Sequence, residues 1–202
     1  MSGLFLAVEG PNGVGKSTIA ALLATRLTDI SPAGTLLTSE PSRTPLGELL
    51  RRSESVLRDR ALALALAADR TAHLEREILP ALAAGRHVVT DRYVQSSLVL
   101  QRLDGLDLTE IWSYNRHVPP ATTFYLHDEP AVIAARLAQR PHRTRLEHAG
   151  TPEKELQLYR DAARHLDQYG WRQHVVDCRG STPEQVVAAI LALLPDHHAD
   201  RS

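Results

Sequence analysis

Eight residues constrain this chain more than any others: Gly10-Pro11-Asn12-Gly13-Val14-Gly15-Lys16-Ser17. They form a Gly-x4-Gly-Lys-Ser pattern between an apolar run, Leu4 to Val8, and a helical stretch, Thr18 to Leu27. From average residue usage such a pattern arises by chance in under ~1% of chains this long. A strand, a glycine-rich turn and a helix in that order aim successive backbone N–H groups and the positive helix end at one spot, a ready cradle for phosphate oxygens. Gly10, Asn12, Gly13, Val14, Gly15 and Thr18 are therefore expected around a nucleoside triphosphate. Lys16 is expected to reach its β and γ phosphates, and Ser17 to offer a hydroxyl to Mg²⁺.

Short apolar runs recur at Thr35 to Leu37, His87 to Thr90, Thr122 to Leu126 and His174 to Val176. Between them lie helical stretches. The longest runs from about Arg58 to Ala84 and stops at Gly85, and others begin near Val94, Pro130, Pro152 and Pro183. This alternation predicts a three-layer α/β P-loop NTPase fold with about five parallel strands flanked by helices. At 202 residues and 43% hydrophobic content, one domain over 1–195 accounts for the chain, followed by a polar tail at 196–202. That tail, Asp-His-His-Ala-Asp-Arg-Ser, reads as a solvated end rather than a metal site. Arg140 to Gly150 lacks apolar periodicity and reads as a mobile basic loop.

Lys plus Arg number 23 against 24 Asp plus Glu, so nothing draws the chain to nucleic acid or to a membrane surface. Phosphate must be caught locally. A single cysteine, Cys178, and no leader or spanning stretch around Leu4 to Val8 suggest a reducing, cytoplasmic setting.

Phosphate-binding loops serve several reactions. Asparagine occurs only at 12 and 115, and neither begins an Asn-Lys-x-Asp guanine reader, which argues against a switch GTPase; a motor ATPase would be larger. Asp91-Arg92-Tyr93 follows the strand candidate His87 to Thr90, at the carboxyl edge where open α/β sheets bind ligands. A carboxylate there can hold Mg²⁺ or its waters, and Arg92 can fork two hydrogen bonds onto a phosphate.

Further blocks are Val8-Glu9-Gly10, Glu40-Pro41 with Thr44-Pro45-Leu46-Gly47-Glu48, and Ala67-Ala68-Asp69-Arg70 with His73. Asp91-Arg92-Tyr93 is followed by Ser96-Ser97 and Gln101, and Arg145-Leu146-Glu147 sits in the basic segment. In these blocks the chain resembles thymidylate kinases, nearly end to end. The resemblance implies ATP as donor, dTMP as acceptor and a homodimer formed through helices. It puts Arg92 on the acceptor phosphate, Arg70 on the base, Ser97 at a polar base contact, Glu40 and Gln101 on the acceptor side, and Asp91 near the metal. Where some members carry an arginine in the phosphate loop this chain has Gly13, so the resemblance assigns the catalytic cation to Arg140, Arg143 or Arg145 on a closing lid.

On the acceptor side the chain departs from the family's pattern. Asn12 stands at a usual carboxylate, Leu66 at the aromatic that stacks on thymine, and Leu100 at an aromatic near the deoxyribose. Ser39 replaces an arginine, making Arg43 a candidate for the lost phosphate contact. An aliphatic pocket suits dTMP or a related, 5-modified pyrimidine nucleotide. Two other readings stay open: a nucleoside kinase using Glu40 or Asp91 as base, and a non-catalytic ATP-binding module.

Overall fold

The computed structural model describes residues 3–53, 56–141 and 145–194. Arg143 and the tail at 196–202 lie outside the described residues. The first strand, β1 (Phe5–Glu9), carries Leu6, Ala7 and Val8 without exposure, as a continuous apolar run must when helices cover both faces of a parallel sheet. Helix α1 (Lys16–Ile30) follows and buries Ile19, Ala20, Leu23, Ala24 and Leu27, one helical stripe against the sheet. The remaining strands are β2 (Thr35–Ser39), β3 (His87–Asp91), β4 (Thr122–His127) and β5 (Gln173–Asp177). They pair in parallel in the order β2-β3-β1-β4-β5, the five-stranded α/β sheet that the alternation of runs predicts.

Register makes the site. Val8 of β1 lies opposite Asp91 of β3, so the chain leaves both strands side by side at the carboxyl edge of the sheet. The glycine-rich loop and Arg92 thus start as neighbours although about 80 residues separate them in sequence.

The long Ala- and Leu-rich stretch is not one uniform helix. It divides into α3 (Asp59–His73), a π-helical turn (Leu74–Ile78) and α4 (Leu79–Ala83). Pro80 has no N–H to give and its ring crowds the carbonyl four residues earlier, and the widened turn just before it accommodates both defects. The Leu79 N–H accordingly reaches Leu74 O, five residues back.

Two helices escape the periodicity of the sequence, the short α2 (Pro45–Ser53) and α6 (Leu108–Asn115). The next is α5 (Val94–Leu103), which lies between them in the chain, then α7 (Pro130–Ala138). The segment read as an irregular basic loop contains a helical turn, α8 (Arg145–Ala149). It leads into α9 (Pro152–Asp167), and α10 (Pro183–Ala192) closes the fold on a Thr182–Gln185 capping box. No helix among the described residues is long and apolar enough to cross a membrane.

The main core joins the sheet to α1, α5, α7, α9 and α10. A second, smaller cluster stands apart, with Leu50 of α2 and Leu62 of α3 buried against Leu57, Ala65, Leu66 and Leu100. It forms an apolar floor beside the carboxyl edge of the sheet.

Leu23 has no exposure, so Leu23→Ala removes buried methyl groups and leaves a void. The expected cost is about 2–5 kcal/mol of unfolding free energy, read as a lower urea midpoint at unchanged slope.

Candidate active site

The phosphate loop is shaped by backbone that only glycine adopts easily. Gly13 has φ of 86°, and a Cβ there would lie 2.8 Å from Leu137 Cγ of α7. Gly15, with φ of 106° and ψ of 17°, starts α1 without a side-chain cap. The first N–H groups of α1 are thereby left to a ligand.

Lys16 folds back over this loop, donating to Gly10 O at 2.8 Å and Pro11 O at 2.9 Å. Burial lowers its pKa from 10.5 to about 7, helped by the charge of Arg92 and opposed by Asp91, Glu9 and Glu155. An incoming polyphosphate would reverse that balance by surrounding the ammonium with negative charge. Ser17 Oγ donates to Asp91 Oδ2, while Asp91 Oδ1 is buried without a partner. A hydroxyl touching a carboxylate with a spare oxygen, beside a phosphate cradle, is an oxygen donor set that fits Mg²⁺.

Arg92 has φ of 76°, a left-handed conformation costing an arginine roughly 1–3 kcal/mol. Its surroundings impose it. The Arg92 N–H donates to Val8 O, Nη1 donates to Ser96 Oγ at 3.0 Å, and Nη2 donates to Asn12 Oδ1 at 2.6 Å. Beneath lies Glu9, fully buried, accepting from the Tyr93 N–H at 2.6 Å, the Ser96 N–H at 3.1 Å and Ser96 Oγ at 2.6 Å. It caps α5 from the neighbouring strand in place of a local side chain. Burial raises its pKa, and the Ser96 hydroxyl and the Arg92 charge pull the other way.

On the other side, the Arg70 guanidinium is held by four groups. Nε donates to Glu40 Oε2 at 2.6 Å, Nη2 to Ser97 Oγ at 2.9 Å and Tyr93 O at 3.3 Å, and Nη1 to Asn115 Oδ1. The preceding Asp69 accepts from the Ser42 N–H at 2.7 Å and Ser42 Oγ at 2.6 Å, which ties the Pro41–Thr44 loop to α3.

Between these groups opens a cavity of about 290 Å³. Asn12, Glu40, Arg70, Asp91, Arg92, Ser97 and Gln101 supply its polar wall, and Leu66 and Leu100 join Leu50 and Leu62 in its apolar wall. Gln101 Oε1 is buried there without a partner. The cavity therefore unites most of the residues expected on the acceptor side, directly against the phosphate loop.

Others fall elsewhere. Arg43 is exposed and is not part of the wall; Arg51 of α2 is, where it donates from Nη1 to Ser42 O at 2.6 Å and from Nη2 to Ser39 Oγ at 3.2 Å. Arg51 lies one helical turn past Gly47, and only a helix reading of Pro45–Ser53 would have turned it toward the cavity. Arg140 is exposed just past α7, and Arg145 is bound through both Nη atoms by Asp104 at the end of α5. Neither lines the cavity. Glu9, Asn115 and Glu155 also escaped the sequence reading, because each acts on a residue remote in the chain.

A glycine-rich loop opening a helix stands beside a half-open cavity walled by arginines, with a carboxylate at their junction, an arrangement that suits a P-loop nucleotide kinase. The sequence model for the thymidylate kinase family matches residues 8–190, and the chain belongs to that family. It is 36% identical over 221 residues to a thymidylate kinase of Bifidobacterium longum subsp. infantis, covering 99% of this chain and 91% of that one. It is also 41% identical over 144 residues to a probable thymidylate kinase of Pyrococcus horikoshii, covering 67% and 70% respectively. In fold it is similar to the crystal structure of thymidylate kinase from Ehrlichia chaffeensis, with a TM-score of 0.73 at 24% identity over 96% of this chain and 100% of that one.

Because Lys16 titrates near 7 in the folded protein and near 10.5 when exposed, the unfolded chain holds the extra proton between those values. Stability of the nucleotide-free protein should therefore rise with pH over that window, and Lys16 should add no pH dependence below it. At pH 8, ATP binding should take up a fraction of a proton, measured by calorimetry in two buffers of different ionisation enthalpy. Zero uptake would contradict a neutral resting Lys16.

Proposed function

We propose that this member of the thymidylate kinase family transfers the γ-phosphoryl group of ATP to dTMP, with the donor on the glycine-rich loop and the acceptor in the adjoining cavity. One observation carries the proposal: the Val8–Asp91 register sets the triphosphate cradle and the Arg92 guanidinium edge to edge, with Ser17 and Asp91 between them. An acceptor phosphate oxygen attacks the γ-phosphorus, the bond to the β-bridging oxygen breaks, and ADP leaves. Catalysis of this kind is chiefly alignment and charge neutralisation. Arg92 and Arg51 on the cavity wall supply cations for the acceptor phosphate, and Lys16 supplies one for the donor. Two guanidinium groups at the place where a 5′ substituent would sit favour a monophosphate over an unphosphorylated nucleoside.

Ser17 and Asp91 would hold Mg²⁺, which neutralises phosphate charge when bound. Arg70, fixed by Glu40, Ser97, Asn115 and Tyr93 O, keeps one N–H that could meet the base, and Gln101 Oε1 offers an unused acceptor on the same cavity wall. Leu66 and Leu100 pack the base by apolar contact in place of ring stacking, which leaves room for variation at pyrimidine position 5. Arg140 and Arg145 are the described candidates for lid cations; Arg145 would exchange Asp104 for a phosphate oxygen. Exposed Leu49 on α2 and Leu64 on α3 offer apolar surface for a second copy, consistent with a homodimer. A buried, unpaired Cys178 agrees with a cytoplasmic setting.

ADP release measured over a panel of nucleosides and nucleoside monophosphates should show turnover with dTMP and none with thymidine; the reverse pattern would overturn the assignment. In the same assay Arg70→Ala and Arg51→Ala should each raise the KM for dTMP about tenfold or more, as expected for losing a charge-assisted hydrogen bond. Lys16→Ala should instead lower kcat by roughly 10²-fold or more.

A further inference from the structure

Asn12, in the middle of the phosphate loop, is held by a residue far from it in the chain. Glu155 lies in the first turn of α9 and is 2% exposed. Its Oε2 accepts from the Asn12 backbone N–H at 2.8 Å, and its Oε1 accepts from Asn12 Nδ2 at 3.2 Å. Asn12 Oδ1 is left to accept from Arg92 Nη2 at 2.6 Å.

A carboxamide has one accepting end and one donating end, and its two flips are equal in shape. An ionised carboxylate only accepts, so Glu155 admits a single flip, with Nδ2 toward itself and Oδ1 toward Arg92. The opposite flip would set Nδ2 against the donors of Arg92 and Oδ1 against the oxygens of Glu155. The choice matters because every N–H of Arg92 is a donor and a guanidinium edge is aimed by what accepts from it. Glu155 also lies close enough for its charge to act on both Lys16 and Arg92.

We propose that Glu155 is a positioning residue for phosphoryl transfer: through Asn12 it sets the aim of the Arg92 guanidinium that clamps the acceptor phosphate. The mechanistic part rests on the kinase reading above. The first turn of α9, which directly follows the α8–α9 connection, is thereby wired to the phosphate loop and to the acceptor cavity at once.

Glu155→Gln keeps the shape and removes the discrimination, since the introduced amide can donate toward Asn12. The KM for dTMP should rise about tenfold, by a larger factor than that for ATP. Asn12→Asp alone should also impair acceptor use, because it sets a second carboxylate against Glu155. In the double variant N12D/E155Q the donor–acceptor pattern is complementary again. The carboxylate introduced at position 12 accepts from Arg92 and from the amide introduced at position 155, whose carbonyl oxygen in turn accepts from the backbone N–H of position 12. The double variant should recover the dTMP KM to within about threefold of the parent. Thermal melting checks that all variants fold.

A second readout needs no turnover. Asparagine occurs only at 12 and 115, so selective ¹⁵N labelling of asparagine yields two side-chain amide pairs. The Asn12 pair should be exchange-protected in the parent and lose that protection in Glu155→Gln. An Asn12 amide pair unchanged by Glu155→Gln, an unchanged dTMP KM in an active variant, or a folded double variant no better than the single ones would each overturn the proposal. Parent enzyme inactive on dTMP would count against the kinase reading, while the amide pair would still decide whether Glu155 orients Asn12.

Discussion

Glu9 is a carboxylate with no exposure at the end of a central strand, and the geometry of the site hangs from it. Burying a charge is costly unless its oxygens are fully used, and here two backbone N–H groups and the hydroxyls of Ser96 and Tyr159 use them. All but the Tyr159 hydroxyl belong to the start of α5. The helix is therefore pinned to β1, and Arg92, caught between the strand end and the helix start, is forced into its left-handed backbone. Local strain at one arginine is offset by a buried polar network around it.

From that junction, charge is distributed in two layers. Lys16, whose charge is suppressed by burial, and the guanidinium groups of Arg51, Arg70 and Arg92 gather around the loop and its cavity. Glu40 pairs directly with Arg70, while Glu9, Asp91 and Glu155, each held by hydrogen bonds to neutral groups, act on Lys16 and Arg92 by charge at short range. A ligand rich in phosphate enters a site whose cations are already aimed, so little reorganisation remains when charge moves during transfer. The depressed Lys16 pKa comes chiefly from burial, with the neighbouring Arg92 charge adding to it.

The acceptor pocket follows different physics. Its floor is a small apolar cluster separate from the main core, built by α2 and α3 around Leu50 and Leu62. Leucines at 66 and 100 extend that cluster along the cavity wall, which combines an aliphatic surface with polar groups at Arg70, Ser97 and Gln101. Selectivity then depends on where donors and acceptors stand, since aliphatic walls discriminate weakly between bases of similar size.

The parallel sheet, the phosphate loop and the general place of Asp91-Arg92 were legible in the sequence. Their signals are local: short apolar runs, glycines at fixed spacing, and a helix opening at once after Gly15. Pocket residues such as Arg70, Ser97, Leu66 and Leu100 were legible through their motifs, though their union in one cavity was not. The long helix was legible as helical, but its π turn depended on how Pro80 is accommodated within a packed stretch. Arg51 was missed because α2 is only nine residues long and its helical character is settled by packing on α3. Arg145, one of three arginines the resemblance offers as the catalytic cation, is held by Asp104, a partner 41 residues away that its own motif does not reveal. Glu9, Asn115 and Glu155 work across 45 to 143 residues of intervening chain. Sequence alone determined which chemistry the chain carries, because those patterns are written in neighbouring residues. Which side chains hold that chemistry in aim was decided only by tertiary structure, because a hydrogen bond between distant residues leaves no periodic trace and exists only once β1, α5 and α9 are packed together.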